Sequence, residues 1–111
     1  MLGVKILKVI RYANPDDVKV KEYDGDAVNI DDFIENHRGY TLMVIKISGK
    51  TFGLIYKNDA QGKKESNIFT LPFNGGQLIY GTIYFIKING HYIISLNDDD
   101  INMIYSQFIP N

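Results

Sequence analysis

The chain has 111 residues, which predicts a single domain over 1–111 and leaves no room for two independently cored ones. Hydrophobic residues make up 45% and charged residues 23%, a balance that predicts a packed core and not a disordered segment. Twelve basic side chains oppose thirteen acidic ones, and a net charge of −1 argues against a non-specific nucleic-acid binder and against a mimic of DNA. Each of those needs a strong field of one sign.

Cysteine is absent, which removes disulfides, thiolate nucleophiles and Cys-ligated zinc. No segment reads as a signal peptide or a membrane span, because the apolar runs are strand-sized and broken by Lys or Gly. A soluble protein of the cytoplasm, with no membrane partner, is the expectation. Ile 17, Asn 10, Lys 10 and Tyr 8 dominate, against Ala 3 and Arg 2, a bias matching AT-rich codons. Its physical consequence is a chain that favours strands over long helices.

Val4 to Arg11 reads as a first strand, and Asn14-Pro15-Asp16-Asp17 as a turn. Val18 to Tyr23 returns as a lysine-bearing strand suited to a sheet edge. Asp24-Gly25-Asp26 then leads to a short helix, with Asn29 as N-cap and Gly39 as C-cap. Ile30, Phe33, Ile34 and His37 recur at helical spacing and predict one buried stripe.

Tyr40 to Ser48 is apolar at both alternating positions, which predicts a strand covered on both faces. Gly49-Lys50 connects it to a strand over Thr51 to Lys57. Asn58 to Ser66 reads as a polar loop, Asn67 to Thr70 as a short strand, and Leu71 to Gly76 as a turn. Thr82 to Ile88 and His91 to Ser95 flank Asn89-Gly90, a strong hairpin signal. Asn97 caps a final helix whose stripe is Ile101, Ile104, Tyr105 and Phe108, stopped by Pro110. The sum is an α+β fold: a mostly antiparallel sheet of about six to seven strands, one short central helix and one C-terminal helix.

Chemistry-bearing clusters are weak. Asp98-Asp99-Asp100 cannot converge on one ion, since helical neighbours diverge by about 100°, and compensation of the helix dipole accounts for all of them. A calcium loop needs oxygen ligands at fixed alternate positions, a central Gly and a terminal Glu; in the acidic stretch of Asp24, Asp26, Asp31 and Asp32, Gly25 lies between the first two acids and Val28 takes the next ligand position. His37 and His91 stand far apart with no zinc spacing. No G-x-S-x-G occurs, and Gly62-Lys63-Lys64 fails as a phosphate loop because Lys57 stands where its first Gly belongs. The residues therefore call for no catalytic set, no cofactor and no metal. Lys46, Tyr56, Lys57, Tyr84 and Lys87 could stack on and neutralise single-stranded nucleic acid if they shared an exposed face.

Leu71-Pro72-Phe73-Asn74, Gly81-Thr82-Ile83-Tyr84-Phe85-Ile86 and Ser95-Leu96-Asn97-Asp98 form a recognisable series, together with Ile101, Tyr105, Phe108 and the earlier Gly39-Tyr40. In these the chain resembles a family of small phage, prophage and plasmid proteins of Gram-positive bacteria. That family is known only as a domain of unknown function, often encoded near antirestriction genes. The resemblance implies a small α+β fold and a mobile-element origin, and it implies no reaction. The family carries a basic residue directly after its Leu-Pro-x-Asn element where this sequence has Gly75, so a role resting on that side chain is not carried over.

The expected function is a non-enzymatic accessory protein that binds a host protein, such as a CRISPR effector or restriction enzyme. Contacts are expected on the loop at Lys63 and Lys64 and the turn at Phe73 and Asn74, since loops carry function more often than scaffold strands. A small nucleotide or single-stranded nucleic-acid binding module is the second reading.

Overall fold

The computed structural model describes residues 5–14, 16–59, 68–70 and 78–108. β1 (Ile6–Asn14) and β2 (Asp17–Asp24) form a hairpin, in which the Asn14 side-chain oxygen accepts from the Asp16 amide at 2.8 Å. β3 (Val28–Asn29) leads into α1 (Ile30–Asn36). β4 (Tyr40–Ile47) pairs with β5 (Lys50–Lys57), and β6 (Ile68–Thr70) with β7 (Leu78–Tyr80). β8 (Ile83–Asn89), β9 (Tyr92–Ile94) and α2 (Asp98–Phe108) follow.

The main sheet has seven strands in the order β2-β1-β8-β5-β4, with β9 beside β8 and β3 beside β9; β6 and β7 form a separate pair. Every strand pair among the described residues is antiparallel. This is the expected α+β class, with β2 at an edge as its lysines suggested.

β8 organises the sheet. One of its edges pairs with β5 from Phe52↔Lys87 to Tyr56↔Ile83. Its other edge is divided, β1 taking Ile83 to Phe85 and β9 taking Lys87 to Asn89. Lys8 joins the two partners: its carbonyl accepts from the Leu96 amide at 3.0 Å, and its amide donates to Ser95 Oγ at 2.8 Å. β1 runs beyond Arg11, where the sequence suggested it would stop, because Tyr12 pairs with Val18 of β2 and with Ile83 of β8.

Two hairpin turns sit one residue from their expected places. Ile47 pairs with Lys50, so the β4–β5 turn is Ser48-Gly49, both with positive φ (52° and 79°) as a type I′ turn requires. Asn89 pairs with Tyr92, so the β8–β9 turn is Gly90-His91, with positive φ at Gly90 only, the type II′ pattern.

Residues paired across strands share a face, and alternate residues change face. One face carries Ile10, Phe52, Leu54, Ile83 and Phe85, and packs against Leu96, Ile104 and Phe108 at the start and along the stripe of α2. The opposite face carries Val9, Ile55, Ile86, Ile88 and Ile93, and meets Val28, Ile30 and Phe33 around α1. Gly53 keeps this second face close: a Cβ there would lie 2.8 Å from Leu42 Cδ1 and 3.1 Å from Ile86 Cγ1.

Two expectations about burial are corrected. β4 is an edge strand, not one covered on both faces, and Val44 is 56% exposed on the α1 side. The seven residues of α1 rise only about 10 Å. The eight residues of β4 span about 26 Å, so the helix cannot cover them. Likewise α1 has no buried residue; Ile30 and Phe33 are half-buried, while Ile34 is 48% exposed and His37 is exposed. The helix ends on His37 as C-cap, and Gly39 (φ 91°) belongs to the turn into β4. Among the described residues no helix is long and apolar enough to cross a membrane.

Candidate binding cleft

The residues singled out as partner contacts, Lys63, Lys64, Phe73 and Asn74, lie outside the described residues, as does Gly75. The nucleic-acid candidates do not form one platform. Tyr56 and Lys87 face α2, where burial pushes the Tyr56 phenol above its ordinary pKa and Lys87 is held in an ion pair. Tyr84 lies on the α1 face with Lys46 and Lys57, but Lys46 sits at the far end of β4 from the Tyr40↔Lys57 pair. The histidines are also apart, His37 after α1 and His91 in the β8–β9 turn. Among the described residues no group of three or more His, Cys, Asp or Glu could hold a metal ion.

What the fold brings together instead is a cleft between α1 and the sheet. The stretch after β2 leaves the sheet at Gly25 (φ 134°), whose amide donates to the Lys5 carbonyl at 2.9 Å. Asp26 is held there by Lys5 at 2.8 Å. Hydrogen bonds from Lys5 and from the Ala27 amide keep the Asp26 carboxyl below its usual range, and Asp26 in turn raises Lys5.

β3 then pairs with β9, Val28 opposite Ile93, and fixes where α1 begins. Asn29 caps the helix, its side-chain oxygen accepting from the amides of Asp31 at 2.9 Å and Asp32 at 3.2 Å. The Ile30 amide donates to the His91 carbonyl at 2.8 Å, tying the helix start to the β8–β9 turn. At its other end a row of rings continues toward β4: Phe33 stacks on His37 with centroids 4.1 Å apart, and His37 meets Tyr40 edge-on at 6.4 Å.

The cleft measures about 530 Å³. Its floor is aliphatic, made by Leu7, Val9, Ile55, Ile86 and Ile93. Its walls are aromatic, with Tyr23, Phe33, His37, Tyr40 and Tyr84, and the Asp24–Ala27 segment borders it. Register explains the assembly: Tyr84 lies opposite Ile55, and Tyr23 opposite Leu7. The size falls within the roughly 300–1,000 Å³ of pockets that take small-molecule ligands.

Of these, Tyr84 is a base-stacking candidate in the sequence and His37 lacks zinc spacing there, while Tyr23, Phe33 and Tyr40 do not stand out. One signal was present: six carboxylates against one arginine between Glu22 and Arg38, interleaved with Tyr23, Phe33 and His37.

The acidic start of α2 departs from expectation at one residue. Asp98 and Asp99 are exposed as dipole-compensating residues should be, but Asp100 is 1% exposed. Its Oδ2 accepts from Lys87 Nζ at 2.8 Å and from the Asn97 amide at 3.0 Å, and its Oδ1 faces Lys50 Nζ at 3.4 Å. The Asn97 side chain accepts from the Asp100 amide at 2.8 Å, completing a reciprocal capping box. Burial pushes this carboxyl up, but Lys87, the Asn97 amide and Lys50 outweigh it and hold it below the usual range. The Asn97-x-x-Asp100 spacing was the available signal. This group locks α2 to β5 and β8 and lies on the face opposite the cleft.

No family model, curated protein or solved structure matches the chain.

Proposed function

We propose that this chain is a non-enzymatic accessory protein of a mobile element that binds a host protein in the bacterial cytoplasm, seating part of that partner in the α1-face cleft. A defence component, such as a CRISPR effector or restriction enzyme, is the partner class, and the resemblance to phage, prophage and plasmid proteins supports it. The observation that carries the reading is the cleft itself: a concave aliphatic and aromatic surface of about 530 Å³ beside an acidic segment. Its character suits binding more than chemistry. His37 Nδ1 is engaged with the Phe33 carbonyl at 2.9 Å, and Asp26 is engaged with Lys5.

The test is to produce the chain in a phage-challenged host and measure plating efficiency alongside affinity capture. The wild type is expected to weaken one defence system and retain one of its proteins. Tyr23→Ala with Tyr40→Ala is expected to lose both effects while staying folded, since both side chains are substantially exposed (49% and 37%). A wild type that leaves every tested defence intact and retains no host protein refutes the reading.

A further inference from the structure

We infer that the free edge of β4 pairs with the same edge of a second copy of this chain, antiparallel about a two-fold axis at Val44, which joins the two main sheets into one. The inference is independent of the cleft and of what occupies it. β4 stands last in the strand order and pairs on one side only. Ile47 and Lys50 flank a two-residue turn, so they exchange both backbone bonds, and alternate residues back along β4 likewise point theirs to β5. The residues between, Leu42, Val44 and Lys46, turn their N–H and C=O groups outward, where no backbone partner meets them among the described residues. Tyr40 has the same parity, and its amide accordingly donates away from β5, to the His37 carbonyl at 3.3 Å. Such an open row of alternating donors and acceptors is completed by another strand.

The edge itself selects which strand. β4 pairs with β5 in unbroken register, contains no proline, and carries Lys46 as its sole charge. The opposite edge, β2, is instead laced with Lys19, Lys21 and Glu22 between two aspartates, the kind of charge that keeps edges from pairing. Pairing β4 with β2 of another copy would also repeat without closing, whereas β4 on β4 closes as a dimer. The register that uses every outward group sets Val44 opposite Val44 and Leu42 opposite Lys46 of the second copy. A two-fold normal to the sheet leaves each face on its own side. On the α1 face Val44, 56% exposed, then covers its counterpart. The Lys46 stem lies along Leu42 of the other copy, with its ammonium in diagonal reach of the half-exposed Tyr40 ring. On the α2 face Met43 meets Ile45, and Thr41 meets Ile47. The two Lys46 side chains stay apart, so the edge is complementary to itself in charge as well as in hydrogen bonding.

A single strand edge makes a small interface, below about 1,200 Å² in total, so association in the micromolar range is expected. Sedimentation equilibrium of the full chain from about 1 μM to about 500 μM should show the mass double and rise no further. Val44→Lys sets like charges face to face at the axis and should leave a monomer throughout. Val20→Lys, at an exposed position on β2, should dimerise as the wild type does. Because the chain has no cysteine, Val44→Cys introduces a single thiol per copy. Facing Cα atoms about 5.5 Å apart suit a disulfide, so mild oxidation should crosslink Val44→Cys much faster than Val20→Cys. A wild type that stays monomeric, a mass that grows past the dimer, or a dimer that survives Val44→Lys overturns the inference. Should Val44→Lys fail to fold, the thiols decide: crosslinking of Val44→Cys no faster than that of Val20→Cys overturns it equally.

Discussion

Asp100 ties the start of α2 to β5 and β8 through Lys50 and Lys87. Removing its charge leaves Lys87, itself largely buried, with no counter-charge, whereas half-exposed Lys50 can turn to water. Breaking a buried pair costs about 3–5 kcal/mol, and the solvent access of Lys50 brings the expected loss for Asp100→Asn to about 2–3 kcal/mol in urea unfolding. Asparagine still accepts from the Asn97 amide, so the fold should survive. Because the folded-state pKa of Asp100 is lowered, its contribution is complete above the unfolded carboxylate pKa and is lost as pH falls through the folded value. The wild type should therefore lose stability on acidification below about pH 4, with a shallower slope in Asp100→Asn. Parallel slopes would show that other carboxylates govern acid unfolding.

At the scale of elements, α1 is a helix that cannot sustain itself. Seven residues with none buried gain little from propensity, so its cap and its ties to β9 and the His91 carbonyl hold it in place. Asn29→Ala removes the acceptor of two amides and should cost about 1 kcal/mol. Hydrogen exchange should show the loss locally: amides of α1 are expected to exchange about fivefold faster. The amides of β5 and β8 should be unaffected. Uniform acceleration through the sheet would mean that α1 is part of the global folding unit.

Element identity was legible where local chemistry decides it. The hairpins, the Asn29 cap and the capped acidic helix over Asp98–Phe108 can all be read from turn residues, spacing and charge. The apolar run at Tyr40 to Ser48 misled because hydrophobicity does not distinguish a central strand from an edge. The stripe Ile30–Phe33–Ile34–His37 misled because periodicity gives a face but not the area available to cover it. β3 and β7 lie in stretches too short to register a period.

For the whole molecule, the placement of charge matters more than its sum. The candidate nucleic-acid contacts are split between two sheet faces, Tyr56 and ion-paired Lys87 toward α2 and Tyr84, Lys46 and Lys57 toward α1. An electrophoretic shift series with single-stranded DNA and RNA should therefore show no salt-sensitive retardation at micromolar protein. Retardation that weakens steeply with salt would restore the nucleic-acid reading.

Length, composition and local patterning determined that this chain forms an antiparallel α+β fold with capped helices and no cysteine chemistry, because strands, turns and caps depend on residues a few positions apart. Near-neutral net charge argued against a strong field of one sign but did not place the charges. Tertiary structure decided where the charge acts. Pairing of Ile10 with Phe85 and of Val28 with Ile93 joins segments far apart in sequence. The Phe52–Lys87 pairing brings Lys50 and Lys87 to Asp100, and the Val28–Ile93 pairing sets α1 over the sheet to wall the cleft. Long-range register chose those neighbours, and no local pattern records it.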